Sequence, residues 1–210
     1  METEDKAKVV LLYSGGYDST ILLLDLLDRG YEVHPMFIRY QQEAVSIERG
    51  KVKYWVEKFN LPLKILNLPP ISWSNSTTVG GNANTGSESK DEYIEMRNLI
   101  FLAYATSYAE SIGAKVVSAG FVGQDYYSDS SPIFAKTFDL LIDSALGIQF
   151  LAPYVEMSKD SMTQYARKYL KPDMKELFTH TTTCNTPIDD SPCGKCQGCK
   201  NVAELMDKFL

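Results

Sequence analysis

The chain has 210 residues, enough for one domain that removes roughly 70% of its unfolded surface from water. Its 44% hydrophobic and 23% charged residues describe a globular protein and exclude a disordered or fibrous one. A net charge of −6 argues against a nucleic-acid backbone binder, and so against a direct tRNA substrate. No apolar run reaches the ~18 residues a membrane helix needs. The acidic start Met1-Glu2-Thr3-Glu4-Asp5-Lys6 lacks a secretory apolar core, so no membrane partner is expected and the cytoplasm is the expected location.

Ala7 to Tyr13 is a Val- and Leu-rich run that reads as a buried strand. Ser14-Gly15-Gly16-Tyr17-Asp18-Ser19 breaks it, and Thr20 to Arg29 reads as a Leu-rich helix stopped by Gly30. Glu32 to Arg39 is a second strand, Ala44 to Phe59 a second helix, and Leu63 to Leu68 a third strand. Strands alternating with helices call for a parallel, doubly wound sheet with right-handed crossovers. Ser72 to Lys90 differs: 14 of its 19 residues are Ser, Thr, Asn or Gly, too polar for a core. It is expected to be a mobile loop, either a tolerated insertion or a lid over a site. Asp91 to Ile112 suits a long helix ended by Gly113, and Lys115 to Ala119 a fourth strand ended by Gly120. Gln149 to Val155 is a weaker fifth strand, and Lys159 to Tyr169 a helix capped near Ser158. The expected organisation is an α/β domain over residues 1–180, followed over 181–210 by a cysteine-rich segment and a terminal helix, Asn201 to Phe209.

The glycine loop after the first strand lies where doubly wound sheets bind ligands, at the carboxyl ends of strands. Gly15 and Gly16 let the backbone approach a phosphate, and amides at the helix start point towards it. The hydroxyls of Ser14 and Ser19 can add hydrogen bonds. Asp18 would repel a bare phosphate, so it suits orienting the loop or holding Mg²⁺ through water. The bland alternative is a capped glycine turn. The loop matches neither G-x-x-x-x-G-K-[ST] nor G-x-G-x-x-G. S-G-G-x-D-S resembles the PP-loop of the ATP pyrophosphatase superfamily, which implies an adenine nucleotide alpha hydrolase-like fold and ATP cleaved between its α- and β-phosphates.

All four cysteines fall in one short stretch, Cys184, Cys193, Cys196 and Cys199, spaced C-x8-C-x2-C-x2-C. A disulfide framework would spread them. Four thiolates match the closed tetrahedral shell of a structural Zn²⁺. An iron–sulfur cluster and a redox pair at Cys193 and Cys196 are the competing readings.

A PP-loop near the start and these cysteines near the end together resemble the 7-cyano-7-deazaguanine synthase family over nearly the whole chain. Pro192-Cys193-Gly194-Lys195-Cys196 and Cys199 follow its PCGKC-x-x-C motif, and Arg97-Asn98 the end of its P-G-R-N motif. Gly120, Asp125, Tyr126, Tyr127, Asp129, Pro132 and Phe134 fit its G…D-Y-S-G-Y-P-D-C-R-P-x-F segment, and Tyr40 and Gln42 fit part of Y-x-Q-R-H. The resemblance implies a ligase, usually a homodimer, that adenylates 7-carboxy-7-deazaguanine and gives the nitrile with ammonia. Under it, Asp18, Ser19 and Arg97 are expected to be catalytic. Ser14, Gly15, Gly16, Asp18, Ser19, Phe37 and Gly120 would contact ATP. Tyr40, Gln42, Arg97, Asn98, Asp125, Tyr126, Tyr127 and Asp129 would contact the deazapurine. Arg97 can pair with the substrate carboxylate or the α-phosphate, and Asp129 can accept from a guanine-like edge.

The chain also departs from the family. Pro-Asp-Cys-Arg becomes Ser128-Asp129-Ser130-Ser131, Gln-Arg-His becomes Gln42-Glu43-Ala44, and the Pro-Gly before Arg-Asn becomes Glu95-Met96. Two other readings stand beside the leading one, and the lost basic residues and the long 72–90 stretch fit the first of them. The first is a paralogue that conjugates a deazaguanine acyl group to another amine, such as a protein N-terminus. The second is a nucleotide-binding module without catalysis.

Overall fold

A computed structural model describes residues 6–81, 91–123 and 127–210. Five strands form one parallel sheet in the order β3-β2-β1-β4-β5: β1 Lys8–Leu12, β2 Glu32–Arg39, β3 Lys64–Asn67, β4 Val116–Ala119 and β5 Gln149–Leu151. Val9, Val10 and Leu11 are fully buried, as a central strand covered on both faces requires. β1 pairs with β2 from Lys8↔Glu32 to Leu12↔Met36, and with β4 from Val9↔Val116 to Leu12↔Ala119. The strand order therefore reverses beside β1, and the crevice of an open α/β sheet lies at that point.

Two cores flank the sheet. Val9, Leu11 and Tyr13 join Ile21, Leu22, Trp55, Phe178, Leu205 and Phe209 on one face. That face is covered by α1 (Tyr17–Asp28), α2 (Val45–Lys58), α5 (Lys159–Tyr165), α6 (Met174–Thr179) and α7 (Gln197–Phe209). Val10, Met36, Leu102, Phe138 and Phe150 form the other core, under α3 (Arg97–Ser111) and α4 (Pro132–Leu146). Leu205 and Phe209 thus bring the terminal helix into the larger core.

All five strands lie where the apolar runs place them, but several helix ends move. α3 starts at Arg97 rather than Asp91, because Met96 takes a left-handed φ of 50° that a helix interior does not accommodate. α1 starts three residues early, directly from the extended Gly16. α7 starts at Gln197 because Cys196 is its N-cap, so two cysteines sit at its first turn. Ser158 caps α5, its side chain accepting from Ser161 N. The helix then runs on as a π turn, Ala166–Leu170. α4 and α6 have no counterpart in the sequence pattern above, although Ser131 with Pro132 and Asp173 supply ordinary start signals.

The polar stretch from Ser72 divides. Residues 82–90 lie outside the described residues. Before them, Thr77–Val79 form a 3₁₀ turn capped by Ser76, with Ser76 and Thr78 buried. The Thr77 and Thr78 hydroxyls donate to the carbonyls of Asp91 and Glu92, and the Thr78 carbonyl accepts from Glu43 N. Here polar side chains are satisfied by backbone, so composition alone does not describe the segment.

One buried carboxylate ties α1 to the far end of the sheet. Asp25, 1% exposed, accepts two bonds from Arg29 (2.9 and 2.8 Å), one from Tyr154 Oη (2.8 Å) and one from Tyr165 Oη (3.1 Å). Asp25→Ala leaves the buried Tyr154 hydroxyl without its acceptor. We expect a loss of about 2–3 kcal/mol of unfolding free energy, read by urea titration; a loss below about 0.5 kcal/mol would contradict the account of this hub.

Candidate active site

A cavity of about 1190 Å³ opens at the carboxyl ends of β1, β2 and β4. Ser14, Gly16, Asp18, Ser19, Phe37, Tyr40, Gln42, Arg97, Asn98, Gly120 and Tyr127 all line it. Most of the expected site residues are therefore brought together. Gly15 sits behind the loop, and Asp125 and Tyr126 lie outside the described residues.

The phosphate-loop side is built on backbone. Gly15 has φ of +73°, and a Cβ there would meet Glu48 O and Val52 N at 3.0 Å, so both conformation and space demand glycine. Its carbonyl accepts from Thr182 N (3.1 Å). Ser14 Oγ accepts from Gly16 N (3.2 Å), and the Ser19 hydroxyl donates to Gly16 O (3.1 Å). Among the described residues no side chain caps α1, which leaves the amides of its first turn for an anion. Gly120, just past β4, keeps that cradle open: a Cβ there would stand 3.0 Å from Ser19 N.

Lys159, at the start of α5, places Nζ 2.9 Å from Asp18 Oδ2, with both side chains only 19% exposed. The other oxygen, Asp18 Oδ1, is buried with no hydrogen-bond partner among the described residues. Such an orphaned acceptor beside a phosphate cradle fits a hydrated divalent cation. Nothing in the local sequence marked Lys159, since its partner is 141 residues away.

Across the cavity stands Arg97, whose Nη1 donates to Tyr40 Oη at 3.1 Å while the guanidinium lies 5.7 and 5.8 Å from the Tyr40 and Phe101 rings. Burial works against its charge, but Tyr40 and then Asp129 outweigh burial and hold its pKa above the ordinary value. Tyr127 stacks on Tyr93, with ring centroids 5.2 Å apart. Asp129 lies behind the lining residues Tyr127 and Ser130. It is 1% exposed and absent from the cavity wall. Its Oδ2 accepts from Asn98 N (2.8 Å) and its carbonyl from Asn98 Nδ2 (3.3 Å), so it caps the start of α3.

Glu48 is a cavity-lining acid that the motifs did not mark. Gln42 Nε2 donates to its Oε2 at 2.8 Å, and burial drives its pKa up to about 7 against the opposing pull of Gln42 and Arg97. The two histidines lie elsewhere. His34 pairs with Glu32 (2.8 Å), and His180 stacks on Tyr54 (3.6 Å between centroids); neither lines the cavity.

The four cysteine sulfurs lie within 4.8 Å of one another, with Cys193 Sγ and Cys199 Sγ 4.0 Å apart. A tetrahedral ion with ~2.3 Å metal–sulfur bonds needs sulfurs about 3.8 Å apart, so the set can hold one metal ion. Backbone N–H groups already point at the sulfurs: Cys193 N at Cys184 Sγ (3.2 Å), and Lys195 N and Cys196 N at Cys193 Sγ (3.4 and 3.3 Å). Burial raises the Cys193 thiol, but those N–H groups outweigh it and bring it down to about 6. A Cβ on Gly198 would fall 1.9 Å from Thr183 O. The cluster is thereby locked to Thr182 and Thr183, and Thr182 holds Gly15.

Comparison with known proteins agrees with this assembly. The family model for the queuosine biosynthesis protein QueC matches residues 8–208. A 7-cyano-7-deazaguanine synthase of Rickettsia akari is 32% identical, covering 91% of each chain. One from Desulfitobacterium hafniense is 30% identical over 92% of this chain and 89% of its own. Among solved structures, the Methanococcus maripaludis U34-tRNA thiolase NcsA aligns with a TM-score of 0.53 at 14% identity, over 98% of this chain and 67% of its own. The NMN synthetase of Francisella tularensis aligns with a TM-score of 0.53 at 13% identity, over 98% and 78%. These two share the fold.

A carboxyl that keeps its proton longer when folded weakens the folded state as pH rises from its ordinary 4.5 towards about 7. Glu48→Gln removes that loss. Its melting temperature should exceed that of the unsubstituted chain at about pH 8, with the two converging near pH 4–5. Superimposable melting curves at every pH would contradict the enclosed carboxyl.

Proposed function

Because the chain belongs to the family of the queuosine biosynthesis protein QueC, we propose that it is an ATP-dependent C–N ligase. It adenylates the carboxylate of 7-carboxy-7-deazaguanine and passes the acyl group to ammonia, with 7-cyano-7-deazaguanine as product. The observation that carries this is one cavity holding an uncapped phosphate loop on one side and Arg97 with its aromatic rings on the other.

A substrate carboxylate oxygen attacks the α-phosphorus, the α–β phosphoanhydride bond breaks, and pyrophosphate leaves into the loop. First-turn amides of α1 and Lys159 stabilise the charge that grows there. Ammonia then attacks the acyl carbon, loses a proton and expels AMP, leaving the amide. A second ATP activates the amide oxygen in the same way. Loss of that oxygen with AMP, and of two protons from nitrogen, gives the nitrile. Arg97 neutralises the carboxylate as it meets the phosphates, and Tyr40, Phe101 and Tyr127 offer flat surfaces to the heterocycle.

Asp18 Oδ1 would hold Mg²⁺ through water, and the ion supplies charge neutralisation at the phosphates. Cys184, Cys193, Cys196 and Cys199 would hold Zn²⁺ in a closed, structural shell. All four sulfurs converge, which supports zinc over a redox pair and a reducing, cytoplasmic setting. Among the described residues no helix is long and apolar enough to cross a membrane. The apolar outer face of α4, with Ile133 71% and Leu141 62% exposed, supports a homodimer.

Incubation with ATP, Mg²⁺, 7-carboxy-7-deazaguanine and ammonium should yield the nitrile by mass spectrometry, and Asp18→Ala should lower its rate by about 10²-fold or more. AMP formed with no nitrile would sink the ammonia acceptor and favour the conjugating paralogue. Elemental analysis should find one zinc per chain. Cys193→Ser should lose the zinc and, through Thr182, raise the KM for ATP by about tenfold; an unchanged KM in the zinc-free variant would break that link.

A further inference from the structure

A guanine-like heterocycle presents three polar groups in a row on its six-membered ring: a 6-oxo acceptor, then N1–H and a 2-amino group as donors. A complementary site offers a donor followed by a pair of acceptors, and one carboxylate supplies the pair because both its oxygens accept. Asp129 does not fill this place, since it is 1% exposed and does not line the cavity. Among the described residues the cavity is lined by three other acids, Asp18, Glu48 and Glu92. Asp18 is paired with Lys159 in the phosphate loop. Glu92 stands where its carbonyl receives the Thr78 hydroxyl, beside the polar 72–90 stretch.

Glu48 is held quite differently. Gln42 is 3% exposed and fully committed: its Oε1 accepts from Tyr40 N (3.0 Å), and its Nε2 donates to Ile38 O (3.1 Å) and to Glu48 Oε2 (2.8 Å). Every arm of Gln42 is thus spent on orienting Glu48 and the end of β2, so it acts through Glu48 rather than on a ligand. Arg97, whose charge acts on Glu48, is a fixed donor braced by Tyr40 and placed against the Tyr40 and Phe101 rings. A donor, a pre-oriented carboxylate and aromatic faces therefore converge on one part of the cavity. On the phosphate side, a Cβ on Gly15 would meet the Glu48 carbonyl itself at 3.0 Å, so this part adjoins the nucleotide loop.

Resting on the ligase reading above, we propose that Glu48 is the specificity residue for the deazapurine, its carboxylate accepting N1–H and the 2-amino group while Arg97 donates to the 6-oxo group. The 7-carboxyl lies next to the 6-oxo group on the heterocycle, so the same guanidinium serves both. An enclosed carboxylate costs stability when nothing occupies it, and binding a two-donor edge offsets that cost. A site that hydrogen-bonds an amino group rejects the analogue lacking it far more strongly than an apolar pocket can.

The test compares 7-carboxy-7-deazaguanine with 7-carboxy-7-deazahypoxanthine, which lacks only the 2-amino group. It reads pyrophosphate release and, without turnover, equilibrium binding by calorimetry. The unsubstituted chain should prefer the amino compound by about 100-fold or more in kcat/KM. Glu48→Gln should bring that preference below about fivefold, raise the KM for the amino compound by more than about tenfold and leave the KM for ATP within about twofold. Glu92→Gln should keep the preference. Calorimetry gives the same comparison if the Gln variant binds without turning over, and an unchanged KM or Kd for ATP certifies its fold. A preference retained in Glu48→Gln, or lost in Glu92→Gln, would overturn the assignment while leaving the ligase reading in place. No pyrophosphate release from the unsubstituted chain with either compound would overturn both.

Discussion

The site depends on one residue with no room around it. Gly15 turns the chain out of β1 at φ +73°, with the backbone of α2 at 3.0 Å from where a Cβ would stand and its carbonyl bonded to Thr182. Three parts of the chain meet there: the strand that feeds α1, the helix that carries Glu48, and the segment that ends in the cysteine cluster. Because that meeting is made of backbone, it leaves few rotamers to settle, and the α1 amides are oriented before any anion arrives. Preorganised donors of this kind stabilise developing charge without reorganising at the moment of reaction.

Around that rigid point the cavity keeps charges that folding alone would not favour. Asp18 and Lys159 face each other at low exposure, Asp18 Oδ1 has no partner among the described residues, and Glu48 is enclosed beside Arg97. Buried pairs of this type add little net stability compared with apolar packing. Their concentration at the switch point of the sheet, opposite well-filled cores on both faces, separates what holds the protein together from what it acts with. The cysteine cluster stands between the two roles: Cys184 lines the cavity and its N–H donates to the Thr182 hydroxyl, while Thr182 N donates to Gly15 O.

The strands were legible because β1, β2 and β4 are short apolar runs, and the phosphate loop and cysteines because their spacing carries its own chemistry. Residues whose role depends on distant partners were not. Lys159 and Glu48 belong to no local pattern; each gains meaning from Asp18 or from Gln42 and Arg97, which only the fold brings near. Asp129 fits the family segment, but its carboxylate turns to the amide of Asn98, a contact that sequence spacing cannot express. α4 has no counterpart in the sequence pattern despite the start signal of Ser131 and Pro132. The first half of the polar 72–90 stretch shows the same limit, since Thr77 and Thr78 satisfy their hydroxyls on the backbone of residues that follow much later.

That the loop grips a pyrophosphate, and not the terminal phosphate of a transferring nucleotide, is the claim from which the rest follows. ³¹P NMR of the reaction with ATP, 7-carboxy-7-deazaguanine and ammonium tests it most directly. AMP and pyrophosphate appearing together, in equal amounts and only with the deazapurine present, is the result this structure predicts. ADP and inorganic phosphate as the products would contradict it.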